Sequence, residues 1–189
     1  GPELGTPHRV LFWRDLTVDN GADVVIATYE KLAPKFPEIN FDFAVRQHWE
    51  PIKGIDKIAE NHKNIHLYHF PYEEGITLPK LLLESICVVM PIRKMSIDPQ
   101  LVIAETLAAG IPVIASNQRS NPEFIVEGKT GALVPLGDVE ATTTALEMIL
   151  SDLNKAAEMG RAAKEDIATR WNWDNYAEEL IGVYERITH

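Results

Sequence analysis

Short apolar runs separated by longer stretches of helical spacing organise this sequence. Residues 10–13, 40–45, 65–68, 86–90 and 112–115 are compact and mostly apolar, as strands buried on both faces are. Between the first two, residues 22–33 set Val24, Val25, Ala27, Thr28 and Leu32 on or near one side, with Asp19 or Asn20 as the expected cap. Residues 51–61 contain a further helix, and residues 78–84 form a short one. Leu101, Val102, Glu105, Thr106, Leu107 and Ala109 open a helical pattern that Gly110 closes, where a left-handed C-cap suits glycine. After the 112–115 strand come a loop, a short helix, a strand and a loop that ends at Asp138.

From Asp138 onward strand signals stop. Residues 139–150, 154–170 and 173–187 read as helices, with Asp138 and Asp174 as caps. The last carries Tyr176, Leu180, Val183 and Tyr184 with acids between them, so one face packs and the other is solvated. Strands alternating with helices imply parallel βαβ units, and right-handed crossovers place helices on both faces. The expected fold is α/β: a Rossmann-like, doubly wound parallel sheet with C-terminal helices.

The chain has 189 residues, enough for one domain with a full core. Its net charge of −10 argues against nucleic acid as a partner and against a broad anionic-membrane surface. No apolar run approaches the roughly 20 residues that span a bilayer. The single cysteine, Cys87, lies in an apolar run and reads as a buried thiol, which leaves no disulfide framework or cysteine metal site. A reducing, cytoplasmic setting fits this usage.

Three ordered segments carry more specific information. Residues 105–116 read Glu-Thr-Leu-Ala-Ala-Gly-Ile-Pro-Val-Ile-Ala-Ser, Pro122 and Glu123 follow, and residues 127–138 read Glu-Gly-Lys-Thr-Gly-Ala-Leu-Val-Pro-Leu-Gly-Asp. This block resembles the sugar-nucleotide-binding half of GT-B glycosyltransferases, most closely family 4 (group 1). That family's pattern is a helix glutamate, an alanine- and glycine-bearing turn, a PVIAS strand, a PE pair and a DGxTGxLVPPGD loop. The likeness extends more weakly over nearly the whole chain. Residues 9–21 sit where the family has a strand ending in GRL and then a KG pair; residues 64–71 match its NIHFLGFV-like strand, and residues 171–184 its closing helix.

The resemblance implies the C-terminal half of a GT-B fold. Complete GT-B enzymes have two Rossmann-like domains facing each other across a cleft. Residues 9–189 are therefore expected to form the donor-binding domain, with the N-terminal acceptor domain missing from this chain. Residues 1–8 are expected to be a tag or linker, Gly1-Pro2 having the form of a protease scar. The implied activity is retaining transfer of a sugar from a nucleoside diphosphate sugar to an acceptor hydroxyl, with the isolated domain inactive. The implied partners are the sugar nucleotide, which is substrate rather than cofactor, and the missing domain. Location is expected to be cytoplasmic, peripheral at the membrane through that domain. No metal is expected, because side-chain cations and a helix terminus serve the diphosphate.

The resemblance also carries roles onto individual positions. Glu105 matches the family glutamate that holds the donor's ribose, and a carboxylate at a sheet's carboxyl edge suits a diol. Its structural alternative is an acid complementing a helix dipole. Arg14 matches the arginine that neutralises the diphosphate, for which a forked guanidinium is apt, or it forms a surface ion pair with Asp15 or Asp19. The N–H groups at Leu101 and Val102 offer a positive helix end to phosphate. Phe70 ends the third strand, where the family's base-binding loop begins.

The chain also departs from the family. The first of the family's two glutamates would fall at Ile97, and Asp98-Pro99-Gln100 replaces a glycine–aromatic–glycine turn. Asp98 is read as a sugar-contacting acid or an N-cap, while Pro99 removes an N–H donor. Asn20 stands where the second family cation would be, so it can hydrogen bond but cannot neutralise charge. Arg93 or Lys94 is a candidate replacement. His62, His66 and His69 have a strand setting that splits them between faces, which disfavours a metal site. Trp171 and Trp173 read as packing residues rather than a carbohydrate platform, and residues 118–121 as a polar loop at the cleft or a plain connector. These departures keep a second reading open, a non-catalytic GT-B-like module that binds or stabilises a partner.

Overall fold

A computed structural model of the chain describes residues 8–46 and 54–188. Six strands, β1 (His8–Phe12), β2 (Ile39–Arg46), β3 (Ile65–Phe70), β4 (Ser85–Met90), β5 (Val113–Ser116) and β6 (Gly131–Val134), form one sheet in the order β3-β2-β1-β4-β5-β6. Every neighbouring pair is parallel. The helices are α1 (Ala22–Leu32), α2 (Ile55–Asn61), α3 (Leu78–Leu83), α4 (Leu101–Ala108), α5 (Asn121–Phe124), α6 (Val139–Leu150), α7 (Leu153–Arg170) and α8 (Trp173–Thr188). The expected α/β doubly wound sheet with trailing helices is therefore the observed one. The first strand takes in His8, one residue before the expected start of the domain. The helix expected within residues 51–61 is described from Ile55, and residues 51–53 lie outside the described residues.

The strand order dictates which face each helix covers. From β1 the chain steps to β2 and β3 in one direction, and from β4 to β5 and β6 in the other. With right-handed crossovers, α1 and α4 must lie on opposite faces. Two of the long C-terminal helices then complete the layers, α6 packing on α1 and α7 on α4. α8 differs from expectation: Tyr176, Leu180, Val183 and Tyr184, the face expected to pack, are all exposed. Under α1 an aromatic cluster fills the core. The Tyr29 ring lies 5.1 Å from that of Phe41 and 4.9 Å from that of Phe43, and Phe43 meets Phe12 edge-on at 5.9 Å. All four are fully buried. Cys87 is buried too, and burial pushes its thiol far above the ordinary range, so it is inert packing.

Helix ends show where local chemistry decides. Asp138 caps α6 by accepting from the Ala141 N–H, and Gly110 closes the α4 turn at φ 79°, both as expected. Two caps differ. At α1 the N-cap is Gly21, in the left-handed conformation, and neither Asp19 nor Asn20 caps it. At α8 the Asn172 side chain accepts from the Asn175 N–H, which leaves Asp174 in the first turn. Asn172 lies two residues earlier, in the position from which a side-chain oxygen reaches an N–H three residues on.

At the amino end of β1, away from the loops that follow the strands, Arg9 binds Asp42 at 2.6 Å and Glu84 at 2.8 Å. Burial pushes the Asp42 carboxyl above the usual range, with the Arg9 bond opposing it. This network is a structural clamp across β1, β2 and the end of α3. Phe43→Ala is expected to lower stability by about 3–5 kcal/mol, the usual loss for a buried phenylalanine. Urea denaturation measures it, and a loss below about 1 kcal/mol would show that the aromatic cluster is not the core's keystone.

Candidate functional site

Adjacent parallel strands whose onward connections run in opposite directions leave a crevice between their carboxyl ends. Here those strands are β1 and β4. Trp13 and Arg14 follow β1 directly, and the segment from Pro91 to Gln100 joins β4 to α4. A close backbone approach locks the two connections together. A Cβ on Gly21 would stand 2.1 Å from the Pro91 carbonyl oxygen, and the residue has φ 77°. Only glycine meets both demands. Across the same seam, the Arg93 and Lys94 N–H groups both donate to the Asp19 carbonyl, at 2.9 and 3.0 Å.

The crevice holds a cleft of about 240 Å³ lined by Trp13, Arg14, Ile97, Pro99, Gln100, Leu101, Val102 and Glu105. A second chamber, of about 140 Å³, shares Trp13 and Arg14 and is completed by Asp15, Ala44, Tyr72 and Leu78. Arg14 thus stands where the two meet. Its Nη2 donates to Gln100 Oε1 at 2.6 Å, and Gln100 Nε2 donates to the Ile97 carbonyl at 2.6 Å. The guanidinium is therefore tied to the residue that opens α4. A cation beside a helix N-terminus, with an exposed carboxylate one turn further on, can hold an anionic group and a neighbouring diol together.

The structure brings four of the seven expected residues to this cleft: Arg14, Leu101, Val102 and Glu105. It leaves three outside both cavities. Asn20 donates through Nδ2 to the Asp15 carbonyl at 3.0 Å and so shapes the loop. Phe70 is 52% exposed, and its ring packs perpendicular to that of Tyr72, 5.7 Å between centroids. Asp98 accepts from the Ser120 hydroxyl, and the N-cap of α4 is Gln100, so Asp98 is not the cap. Ile97, in contrast, presents a 68%-exposed hydrocarbon to the cleft.

Trp13, Asp15, Ala44, Tyr72, Leu78 and Gln100 also line the cavities and had no expected ligand contact. Trp13 had a signal, since alternation along β1 sends it to the face opposite Phe12, directly beside Arg14. Trp171 stacks on Phe124 at 4.4 Å, as a packing residue would. Among the described residues no cluster of three or more histidine, cysteine or acidic side chains could hold a metal ion, and no helix is long and apolar enough to cross a membrane.

Fold and crevice together define an α/β domain with a cleft at its switch point. A Francisella tularensis structure, the C-terminal domain of a glycosyl transferase group 1 family protein (LpcC), superposes with a TM-score of 0.74 at 16% identity, covering 91% of this chain and 95% of that one. S. aureus TarM in complex with fondaparinux, alpha-GlcNAc-glycerol and UDP superposes with a TM-score of 0.76 at 19% identity, over 97% of this chain and 37% of TarM. The family model described as "Glycosyl transferases group 1" matches residues 2–166. The chain belongs to that family. A GDP-mannose-dependent alpha-(1-6)-phosphatidylinositol monomannoside mannosyltransferase of Mycobacterium tuberculosis is 38% identical over 80 residues, which are 42% of this chain and about a fifth of the relative's length (21%).

Arg93, one candidate replacement for the missing cation, is engaged elsewhere. It forms a two-pronged pair with Asp23, one prong at 2.8 Å, and donates to the Val18 carbonyl at 2.9 Å. Lys94 is exposed and lies 3.6 Å from Asp19. The hydrogen bonds from Arg93 hold the Asp23 carboxyl below its ordinary pKa of 3.8. A depressed carboxylate contributes stability that is present above the ordinary value and lost as pH falls through the folded one. The seam around Gly21 is accordingly expected to loosen in acid, below about pH 3.8. Acid titration of the unfolding midpoint measures this, and Asp23→Asn should remove that component of the pH dependence while leaving the rest of the curve in place.

Proposed function

We propose that this chain is the donor-binding domain of a retaining glycosyltransferase that takes a nucleoside diphosphate sugar. The observation that carries the reading is the meeting of Arg14, the amino end of α4 and Glu105 around one cleft. In this reading Arg14 and the Leu101 and Val102 N–H groups stabilise the departing diphosphate, the electrostatic contribution that dominates much group-transfer chemistry. Glu105 accepts hydrogen bonds from both ribose hydroxyls. An acceptor hydroxyl, held by an N-terminal domain not present in these 189 residues, attacks the anomeric carbon on the face the diphosphate leaves. The reading calls on no resident cofactor. A cytoplasmic location, peripheral at the membrane through the missing domain, belongs to the same proposal.

Two further observations support it. UDP is part of the TarM complex that shares the fold. On α8, Tyr176, Ile181, Tyr184 and Ile187 are each more than half exposed, an apolar surface suited to covering by the missing half of a two-domain enzyme. The second reading, a non-catalytic module, draws on Ile97 and Asn20. The first offers hydrocarbon to the sugar side of the cleft, and the second is an uncharged amide held in the loop. Activity of a full-length parent with a sugar donor separates the two: transfer that is sensitive to Arg14→Ala supports the enzyme.

Isothermal titration of the 189-residue chain with UDP, GDP and ADP is expected to show weak binding of at least one nucleotide. Glu105→Ala should weaken it about tenfold, the scale of losing charge-assisted bonds. A 2′-deoxy nucleotide should show a smaller loss in that variant, because one of the two hydroxyls is already gone. Absence of binding to all three nucleotides, or equal affinity in the variant, would sink the donor reading.

A further inference from the structure

Gln100 is a buried amide lining the larger cleft, and both of its ends are engaged. Its Oε1 accepts from Arg14 Nη2 at 2.6 Å, while its Nε2 donates to the Ile97 carbonyl at 2.6 Å. Gln100 is also the N-cap of α4, yet its side chain makes no capping bond to that helix. A serine, aspartate or asparagine in this position would fold back onto the N–H groups of the first turn. The longer glutamine reaches across the crevice instead, to a residue that follows β1. The first turn thereby keeps its N–H groups for another acceptor, and the guanidinium gains a neighbour 86 residues away in sequence.

We infer that Gln100 is a positioning residue: it holds the Arg14 guanidinium beside the amino end of α4, in the orientation that an incoming diphosphate meets. This inference rests on the sugar-nucleotide reading above and deepens it, since it names the group through which Arg14 is made ready. A free arginine side chain must be ordered when an anion binds, which costs up to about tenfold in affinity. A neutral amide suits the task better than a carboxylate. It accepts one N–H bond without cancelling the positive charge, so the other guanidinium donors keep their attraction for phosphate. Arg93, by contrast, has the Asp23 carboxylate as its partner and is neutralised by it. The Ile97 carbonyl completes the device. By accepting from Nε2 it decides which end of the amide is turned to Arg14, so the guanidinium meets an acceptor and not a second donor.

The test is a double-substitution cycle on the 189-residue chain, with inorganic pyrophosphate as the probe and calorimetric titration as the readout. Gln100→Leu keeps the bulk of the side chain and removes both bonds. Alone it should weaken pyrophosphate binding about fivefold to tenfold. In an Arg14→Ala background the same change should cost nothing, because a residue that acts through Arg14 has no effect once Arg14 is gone. Gln100→Glu should weaken binding at neutral pH at least as much, although it preserves size and the bond to Arg14. Where nucleotide binds and pyrophosphate is too weak to measure, the cycle is run with that nucleotide. One further measurement needs no variant: in the unsubstituted, unliganded protein the Arg14 Nη protons should give separate, slowly exchanging NMR signals. Unchanged affinity in Gln100→Leu, equal losses in the two backgrounds, or averaged Arg14 Nη protons would each overturn the inference and leave the donor reading standing. If neither pyrophosphate nor UDP, GDP or ADP binds, or if Arg14→Ala leaves binding unchanged, both fall together.

Discussion

The structure depends on one topological constraint: β1 and β4 lie side by side and parallel, yet the chain leaves them in opposite directions. Two connections that diverge cannot cover the ends of their own strands, so a crevice is unavoidable. What this sequence adds is control of the crevice's width. The approach of Gly21 to the Pro91 carbonyl leaves no room for a side chain between the two connections. The paired donations to the Asp19 carbonyl and the Arg93–Asp23 pair then fix them there. Arg93 also packs beneath Gly137, where a Cβ would meet its Nε at 2.9 Å, so the loop before α6 joins the same seam. The charged residue that looked available to a ligand is thus a structural brace.

Much of this was legible in the sequence, for a physical reason. Strands buried on both faces must be apolar without interruption, and β4 with its Ser-Ile-Cys-Val-Val-Met run is buried along its whole length. Helices between such strands show their period because only one side is buried. Positions tied to a backbone geometry were legible too: Gly110 needs its left-handed turn, and Asp138 needs an N–H three residues on. Arg14 and Glu105 could be placed at one cleft because each directly follows, or sits one turn beyond, an element end whose location the βαβ alternation sets.

What was not legible involves competition between neighbours. Asp19, Asn20 and Gly21 are all acceptable caps in isolation, and the choice of Gly21 is made by Pro91, seventy residues away. Asp98 looked like an acid awaiting a sugar or a helix start, but Ser120 on another loop supplies its partner. Phe70 and Tyr72 are two residues apart at the end of β3, and nothing local says which of them turns toward the crevice. The register of β3 at the sheet edge leaves Phe70 in solvent and returns the chain so that Tyr72 faces Trp13's chamber. The expectation at the end of β3 concerned its backbone groups, and the side chain that reaches a cavity there is Tyr72.

The electrostatic balance of the cleft bears on how far the donor reading extends. Arg14 is the one guanidinium lining either cavity among the described residues, and Glu105 and Asp15 are the acids that face it. A diphosphate brings about two further negative charges into a protein whose net charge is already −10, so long-range attraction does not favour it. Binding must then come from local, directional groups: one forked cation, the free N–H groups of the first turn of α4, and the contacts to ribose and base. Such a site is selective before it is tight. It also explains why Gln100 matters despite carrying no charge: by linking Arg14 to the Ile97 carbonyl, it holds the lone cation in a single orientation beside the helix end, where a mobile side chain would lose most of its advantage. In the proposed reading, an acceptor domain closing over the cleft would exclude water, and in the lower dielectric one well-placed charge would stabilise a leaving group far more than it does in an open cleft.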